Sequence, residues 1–376
     1  MKRLINKIGI GVLLFGFISC NTPNKTGAES AVLTPETEQL KELLRTIHEH
    51  GYMFGHQDAT VYGIGWNGDA DRSDVKSVCG DYPAVCGWDI GHIELGRTVN
   101  LDSVFFDRMK QEIVQNHLRG GINTISWHLD NPYTGGSSWD TSAKDSVVAS
   151  ILPDGKEHPK FTAWLDTLVT FFGSLTTEDG TKIPILFRPW HEHTGSWFWW
   201  GKDHCTTEQY KELWAMTHSY LKLKGVNNIL YAYSPGGGAS AEEYMERYPG
   251  DEYVDLLGFD YYQLNGTAGT QSYKDVMDST LTFLTQYGKE HDKPIAVTET
   301  GFETIPDATW WTNVFAPIMD KHPIAYVLVW RNAREKPNHY YAPYPEQVSA
   351  KDFMQFYKQP KSLFAKDIEK LKKSEQ

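Results

Sequence analysis

Two glutamates stand out by their company. Glu192 lies within RPWHEHTGSWFWWG (Arg188 to Gly201), between His191 and His193 and among four tryptophans, while Glu299 ends the apolar run PIAVTETG (Pro294 to Gly301). A core segment would not interleave Arg, two His, Glu, Thr, Gly and Ser with its rings. Two carboxyl groups about 5–5.5 Å apart can divide the work of displacement at an acetal carbon. One, protonated, assists the leaving oxygen; the other, ionised, attacks the carbon. The acid needs a raised pKa, which Trp190 and Trp197 as apolar walls would provide by penalising its charged form. The nucleophile needs hydrogen-bond donors, for which Tyr262 and Arg188 are the candidates. An ion pair between Arg188 and Glu192 is the structural alternative for that carboxylate. With thirteen tryptophans and twenty tyrosines, the chain is also rich in flat faces edged by polar donors, as the binding of pyranose rings requires.

His191 and His193 could instead be read as metal ligands. In an extended strand they would share one face and Glu192 the other, and a third ligand would be needed on the histidine face. No regular Cys/His spacing supplies it, so neither a metal nor a cofactor is expected.

These residues need a frame to bring them together. From about residue 35 the chain alternates β-rich runs with helical patterns. The runs are YMFGHQ (Tyr52 to Gln57), PAVCGWDI (Pro83 to Ile90), INTISWH (Ile122 to His128), IPILFRPWHE (Ile183 to Glu192), NILYAYSP (Asn228 to Pro235), VDLLGFDYY (Val254 to Tyr262), PIAVTETG (Pro294 to Gly301) and IAYVLVWRN (Ile324 to Asn332). Each begins apolar and ends in polar or aromatic chemistry. Between the second and third runs, Val104, Phe105, Met109, Ile113 and Val114 fall on one helical face before Gly120 ends the helix. The pattern predicts an α/β chain folded as a (β/α)₈ TIM barrel, in which all eight strand ends open into one cleft. An open doubly wound sheet is the alternative, but no Gly-rich phosphate turn follows the first run.

With acid/base on strand four and nucleophile on strand seven, the chain resembles glycoside hydrolase clan A. In FGHQ, SWH, RPWHEH…SWFWWG, FDYY, TETG and VWRN it resembles family 26, whose main activity is endo-β-1,4-mannanase. The clan commonly has Asn before the acid/base; His191 stands there, as in family 26. The resemblance implies a retaining two-glutamate mechanism with Glu192 as acid/base and Glu299 as nucleophile. His191 would hold the sugar 2-position or the nucleophile's surroundings, and Tyr262 would hydrogen-bond the nucleophile. Trp330 would form the platform beneath the sugar, with Arg331 beside it. His128 and Trp197 would complete the substrate contacts, and Asp260 would be a polar partner in the same site. The implied substrates are mannan, glucomannan, galactomannan and derived oligosaccharides. β-1,3-Xylan, mixed-linkage β-glucan and a non-catalytic sugar-binding role are the alternatives. His193 reads as structural, Trp199 and Trp200 as divided between core and cleft, and His56, Gln57, Asp89 and His92 as organisers of the barrel mouth. NPYTGGSSWD, inside the long segment Asn131 to Lys160, reads as a mobile wall carrying Trp139.

The remaining segments give address and partners. Lys2, Arg3 and Lys7 precede an apolar run, Ile8 to Ile18, too short to span a bilayer comfortably, and FISC resembles a lipobox. Residues 1–19 are therefore expected to be a lipoprotein signal peptide, with lipid on Cys20. Residues 20–34 would be a flexible tether, and 35–370 one catalytic domain. No acidic run follows Cys20, which favours the periplasmic face of a membrane over the cell surface and imported oligosaccharides as substrate. A formal net charge of −12 argues against nucleic acid. A monomer is expected. Cys79 and Cys86 bracket a short loop and are the expected disulfide pair.

Overall fold

Each of the eight apolar runs forms one strand in the computed structural model, which describes residues 32–374. The strands are β1 (Tyr52–Gln57), β2 (Val85–Asp89), β3 (Ile122–Ser126), β4 (Ile185–Arg188), β5 (Ile229–Tyr233), β6 (Leu256–Gln263), β7 (Ile295–Phe302) and β8 (Ile324–Val329). Every neighbouring pair is parallel, and β8 returns to β1 in the register Met53↔Tyr326 to His56↔Val329, which closes the barrel. The chain is thus a single-domain α/β barrel of the TIM type. The expected signal peptide and lipid cysteine lie outside the described residues.

Strand periodicity decides which side chains fill the barrel. Met53, Val85, Ile122, Leu186, Leu230, Leu256, Ala296 and Leu328 form an inner cluster, while Ile125, Phe187, Tyr231, Phe259 and Val297 join the outer one beneath the helices. Leu40, Leu44 and Ile47 belong to the inner cluster as well. The helix Pro35–Thr46 thereby seals the end of the barrel opposite the polar strand ends. Its start is set by Thr34, whose hydroxyl accepts from the N–H of Thr37, and by proline in the first turn. A short strand, Ser362–Leu363, pairs with the first residues of β1, where β2 does not yet reach.

The outer helices follow their sequence signals. Thr206 and Gln209 form a reciprocal capping box at the head of Thr207–Leu223, whose buried face is Tyr210, Leu213, Trp214, Thr217 and Leu221. The expected helix after β2 spans Phe106–Leu118, two residues later than its apolar stripe suggested. Phe105 is its N-cap and is 62% exposed, while Phe106 packs inward in its place.

The expected disulfide is not present. Cys79, Cys86 and Cys205 are free and buried. Cys86 is fixed inside β2 by its register with His56 and Asn123, and Cys79 ends a short helix with its sulfur directed at the Asp81 carbonyl oxygen. Burial pushes both thiols up to about 12, so neither is poised to react.

Candidate active site

Arg188 sits two residues beyond Leu186 on β4, and strand alternation sends it into the barrel. There its guanidinium donates to Asp260 Oδ2 at 2.6 Å and to Glu299 Oε2 at 2.6 Å, with all three groups buried. Asp260 reaches the same interior from β6. Its Oδ1 accepts from Ser234 (2.7 Å) and Thr298 (2.8 Å), so its oxygens are fully engaged below Glu299. Burial raises this carboxyl, Arg188 opposes and Glu299 adds, and the outcome is a value pushed up to about 7. Arg188 therefore pairs with Asp260 and Glu299 rather than with Glu192.

Glu299 faces inward only because β7 breaks its alternation. Ala296 and Thr298 point into the barrel, so the next residue should point out. The register instead steps from Phe259↔Val297 to Asp260↔Glu299, and the pairing with β8 also shifts here. This β-bulge turns Thr298 and Glu299 to the same side, a use of bulges that recurs beside active sites. The hydroxyl of Tyr262 then donates to Glu299 Oε1 at 2.5 Å. Both carboxylate oxygens of Glu299 thus carry a donor, one charged and one neutral.

The acid/base candidate is held differently. Pro189, with no N–H to give, ends the β4 ladder. The following turn places Trp190 at φ 55° and Glu192 at φ 53°, a left-handed conformation that costs side chains of this kind. Three bonds hold it. Tyr210 donates its hydroxyl to the Trp190 carbonyl at 2.8 Å, Trp200 its indole N–H to the His191 carbonyl at 2.9 Å, and the Glu192 N–H reaches Ser234 O at 2.7 Å. Residues 191–193 are consequently a turn, and the expected extended alternation of His191, Glu192 and His193 does not occur. His191 Nε2 meets His128 Nε2 at 3.0 Å, whereas His193 is buried against Tyr210 and Tyr233. Among the described residues no group of three His, Cys, Asp or Glu is arranged to hold a metal ion.

Glu192 is half-buried and accepts from the indole N–H of Trp197 at 2.8 Å. Burial, then the charges of Glu299 and Asp260, push its carboxyl well above the usual carboxylate range, against the weaker pull of Trp197 and Arg188. Trp197 therefore acts as a donor as well as a wall. Its ring folds back over Gly195, where a Cβ would lie 2.2 Å from the indole. Trp190 has no part in the wall: it is fully buried against Trp127, Phe161, Trp199 and Trp200. Trp199 and Trp200 are likewise wholly in the core. Trp197 and, on the loop after β3, Trp139 and Tyr133 remain open, 46%, 52% and 48% exposed. Trp139 stacks on the His128 ring at 5.6 Å, as a wall carried by the loop after β3.

Trp330 is half-buried just beyond β8, its ring 6.3 Å from that of His128. The neighbouring Arg331 turns away from both glutamates. Its guanidinium pairs with Asp102 at 2.8 Å and Glu335 at 2.9 Å, beside the Tyr62 hydroxyl. Asp89, read as one organiser among several at the mouth, accepts from His128 Nδ1 at 2.6 Å. Sequence reasoning did not find that contact. The only signal was the shared position of Asp89 and His128 at the ends of adjacent strands.

Residues 30–312 match the model of glycosyl hydrolase family 26. The chain belongs to this family. Among solved family 26 structures, a β-mannanase from Bacteroides ovatus is 55% identical, with a TM-score of 0.86 over 88% of this chain and 95% of that one. A modular endo-β-1,4-mannanase from Cellulomonas fimi is 35% identical, with a TM-score of 0.81 over 90% of this chain and 77% of that one. A mannan endo-1,4-β-mannosidase of Bifidobacterium adolescentis is 33% identical over 84% of this chain. The family 26 chain described here spans about a third of that relative's length.

Proposed function

We propose that the protein is a retaining endo-β-1,4-mannanase, in which Glu192 protonates the glycosidic oxygen and Glu299 attacks the anomeric carbon. The observation that carries the reading is the contrast between the two carboxyl groups. Glu299 has a donor on each oxygen, and Glu192 is desolvated beside it. That is the division of labour a double displacement needs. His128, His191, Trp197 and Trp330 bind the sugar around the cleavage point, and Tyr262 holds the nucleophile. Asp260 and Arg331 support the site from behind, given where their side chains lie. Mannan is the substrate because the family 26 relatives named above act on it. Proton NMR of β-1,4-mannohexaose cleavage, read before mutarotation, tests both parts: β-anomer appears first. An initial α-anomer would mean inversion and overturn the assigned roles.

The proposal includes the lipid anchor at Cys20 and a periplasmic place for the enzyme, supported by the basic n-region, the apolar run and FISC. Cells fed labelled palmitate incorporate label into the wild-type protein and not into Cys20→Ser. Equal labelling of the two removes the anchor.

A further inference from the structure

The contact between His128 and His191 imposes a proton count. Two ring nitrogens 3.0 Å apart must share one proton between them. Asp89 limits how. Its carboxylate, fully buried, accepts from the Gly91 N–H (2.8 Å), from the Ser126 hydroxyl (2.7 Å) and from His128 Nδ1 (2.6 Å). With these donors and the His128 backbone N–H (3.4 Å) aimed at it, Asp89 stays ionised, and burial is outweighed in holding its carboxyl low. A carboxylate can only accept, so Nδ1 of His128 carries a proton. His128 is then either an imidazolium that donates to His191, or a neutral ring that accepts from it. The chain ends at Nδ1 of His191, buried and without a partner among the described residues.

The charges around the pair choose between these states. His128 faces Asp89 from β2, Glu299 from β7, Arg188 from β4 and Asp102 from the loop after β2; its other ring neighbours, Trp139, Phe198 and Trp330, carry no charge. Burial opposes a charge on His128, but Asp89 and Glu299 outweigh it and Arg188, so its pKa lies above the ordinary value. His191 has no anion against it. Burial, then Arg188 and His128, push it well below the ordinary value.

We propose that Asp89 is a positioning residue that fixes His128 as an imidazolium, donating through Nε2 to a neutral His191 and placing its positive charge beside Glu299. The assignment rests on the roles of Glu192 and Glu299 proposed above, yet its first test needs no turnover. In uniformly ¹⁵N-labelled protein at about pH 7.5, where an ordinary histidine of pKa about 6.5 is largely neutral, both ring nitrogens of His128 resonate as protonated. One nitrogen of His191 does not. His128→Gln provides the assignment. A non-protonated Nε2 on His128 at that pH overturns the proposal whatever the enzyme hydrolyses.

The second test uses Glu192→Ala acting on a dinitrophenyl β-mannobioside, whose departure needs no acid, so that the alkaline limb of kcat/KM no longer reports Glu192. Adding Asp89→Asn moves that limb to lower pH and lowers kcat/KM on its alkaline side by about tenfold or more, because His128 loses its anion. A limb at an unchanged pH, with only a uniform drop in rate, reduces Asp89 to a structural residue.

Discussion

Glu299→Ala abolishes turnover of mannan and of activated aryl mannosides alike, with kcat falling by about 10⁵-fold or more. The nucleophile is needed whatever the leaving group. Its removal also leaves Arg188 with Asp260 as sole anionic partner at the barrel floor, so the variant stays folded and its circular dichroism matches the wild type. Initial rates on both substrates check this. A variant within tenfold of wild type on the aryl mannoside would show that Glu299 does not form the bond to the sugar.

Glu192→Ala separates the two substrates. On mannan, kcat/KM falls by about 10²–10⁴-fold, since an alkoxide of ordinary basicity leaves without protonation. On a dinitrophenyl mannoside the first step proceeds, but the glycosyl-enzyme then waits for a water that no base activates. KM therefore drops together with kcat, and added azide, which needs no base, restores the rate and gives the β-azide. Protonation also sets the pH profile. The Glu192 carboxyl is raised by burial and by Glu299, so the wild type on mannan is active below that raised value and loses activity as pH climbs through it. In Glu192→Ala this dependence on Glu192 disappears. Equal losses on mannan and on the aryl substrate, without rescue by azide, would reverse or void the assignment of acid and nucleophile.

All eight strands were legible because each carries an apolar run long enough to cross the barrel wall and then a polar ending. The two glutamates were legible because they share that position. What the sequence did not disclose lies where the backbone leaves its regular period. The β7 bulge decides that Glu299 faces the cleft, yet nothing in AVTETG distinguishes a bulged strand from a regular one, which would have sent Glu299 outward. The left-handed turn at Trp190 and Glu192 sends His191 and His193 apart, and only its buried partners, Tyr210 and Trp200, make it tolerable. Trp190 departs from its expected place in the cleft wall for a related reason. Trp190, Trp199 and Trp200 fill the layer behind the turn that presents Glu192, so density of rings in the sequence marked the support of the site more than its sugar-binding face. Arg331 lies one residue past Trp330 and serves a different network, a difference set by the rotation of the chain after β8.

The pairing of Ser362–Leu363 with Tyr52 and Met53 has a bearing on how the molecule is made. It joins the first strand of the barrel to a segment near the end of the chain, and β8 must also return to the same strand. Contacts of such sequence separation form late, because almost the whole polypeptide has to be ordered before they are rewarded. Until then β1, paired with β2 only along Gly55–Gln57, keeps its β8 edge and the first residues of its other edge bare, each a template for a strand of another molecule. During synthesis the chain is exposed to self-association from the appearance of its first strand until β8 and Ser362–Leu363 have emerged.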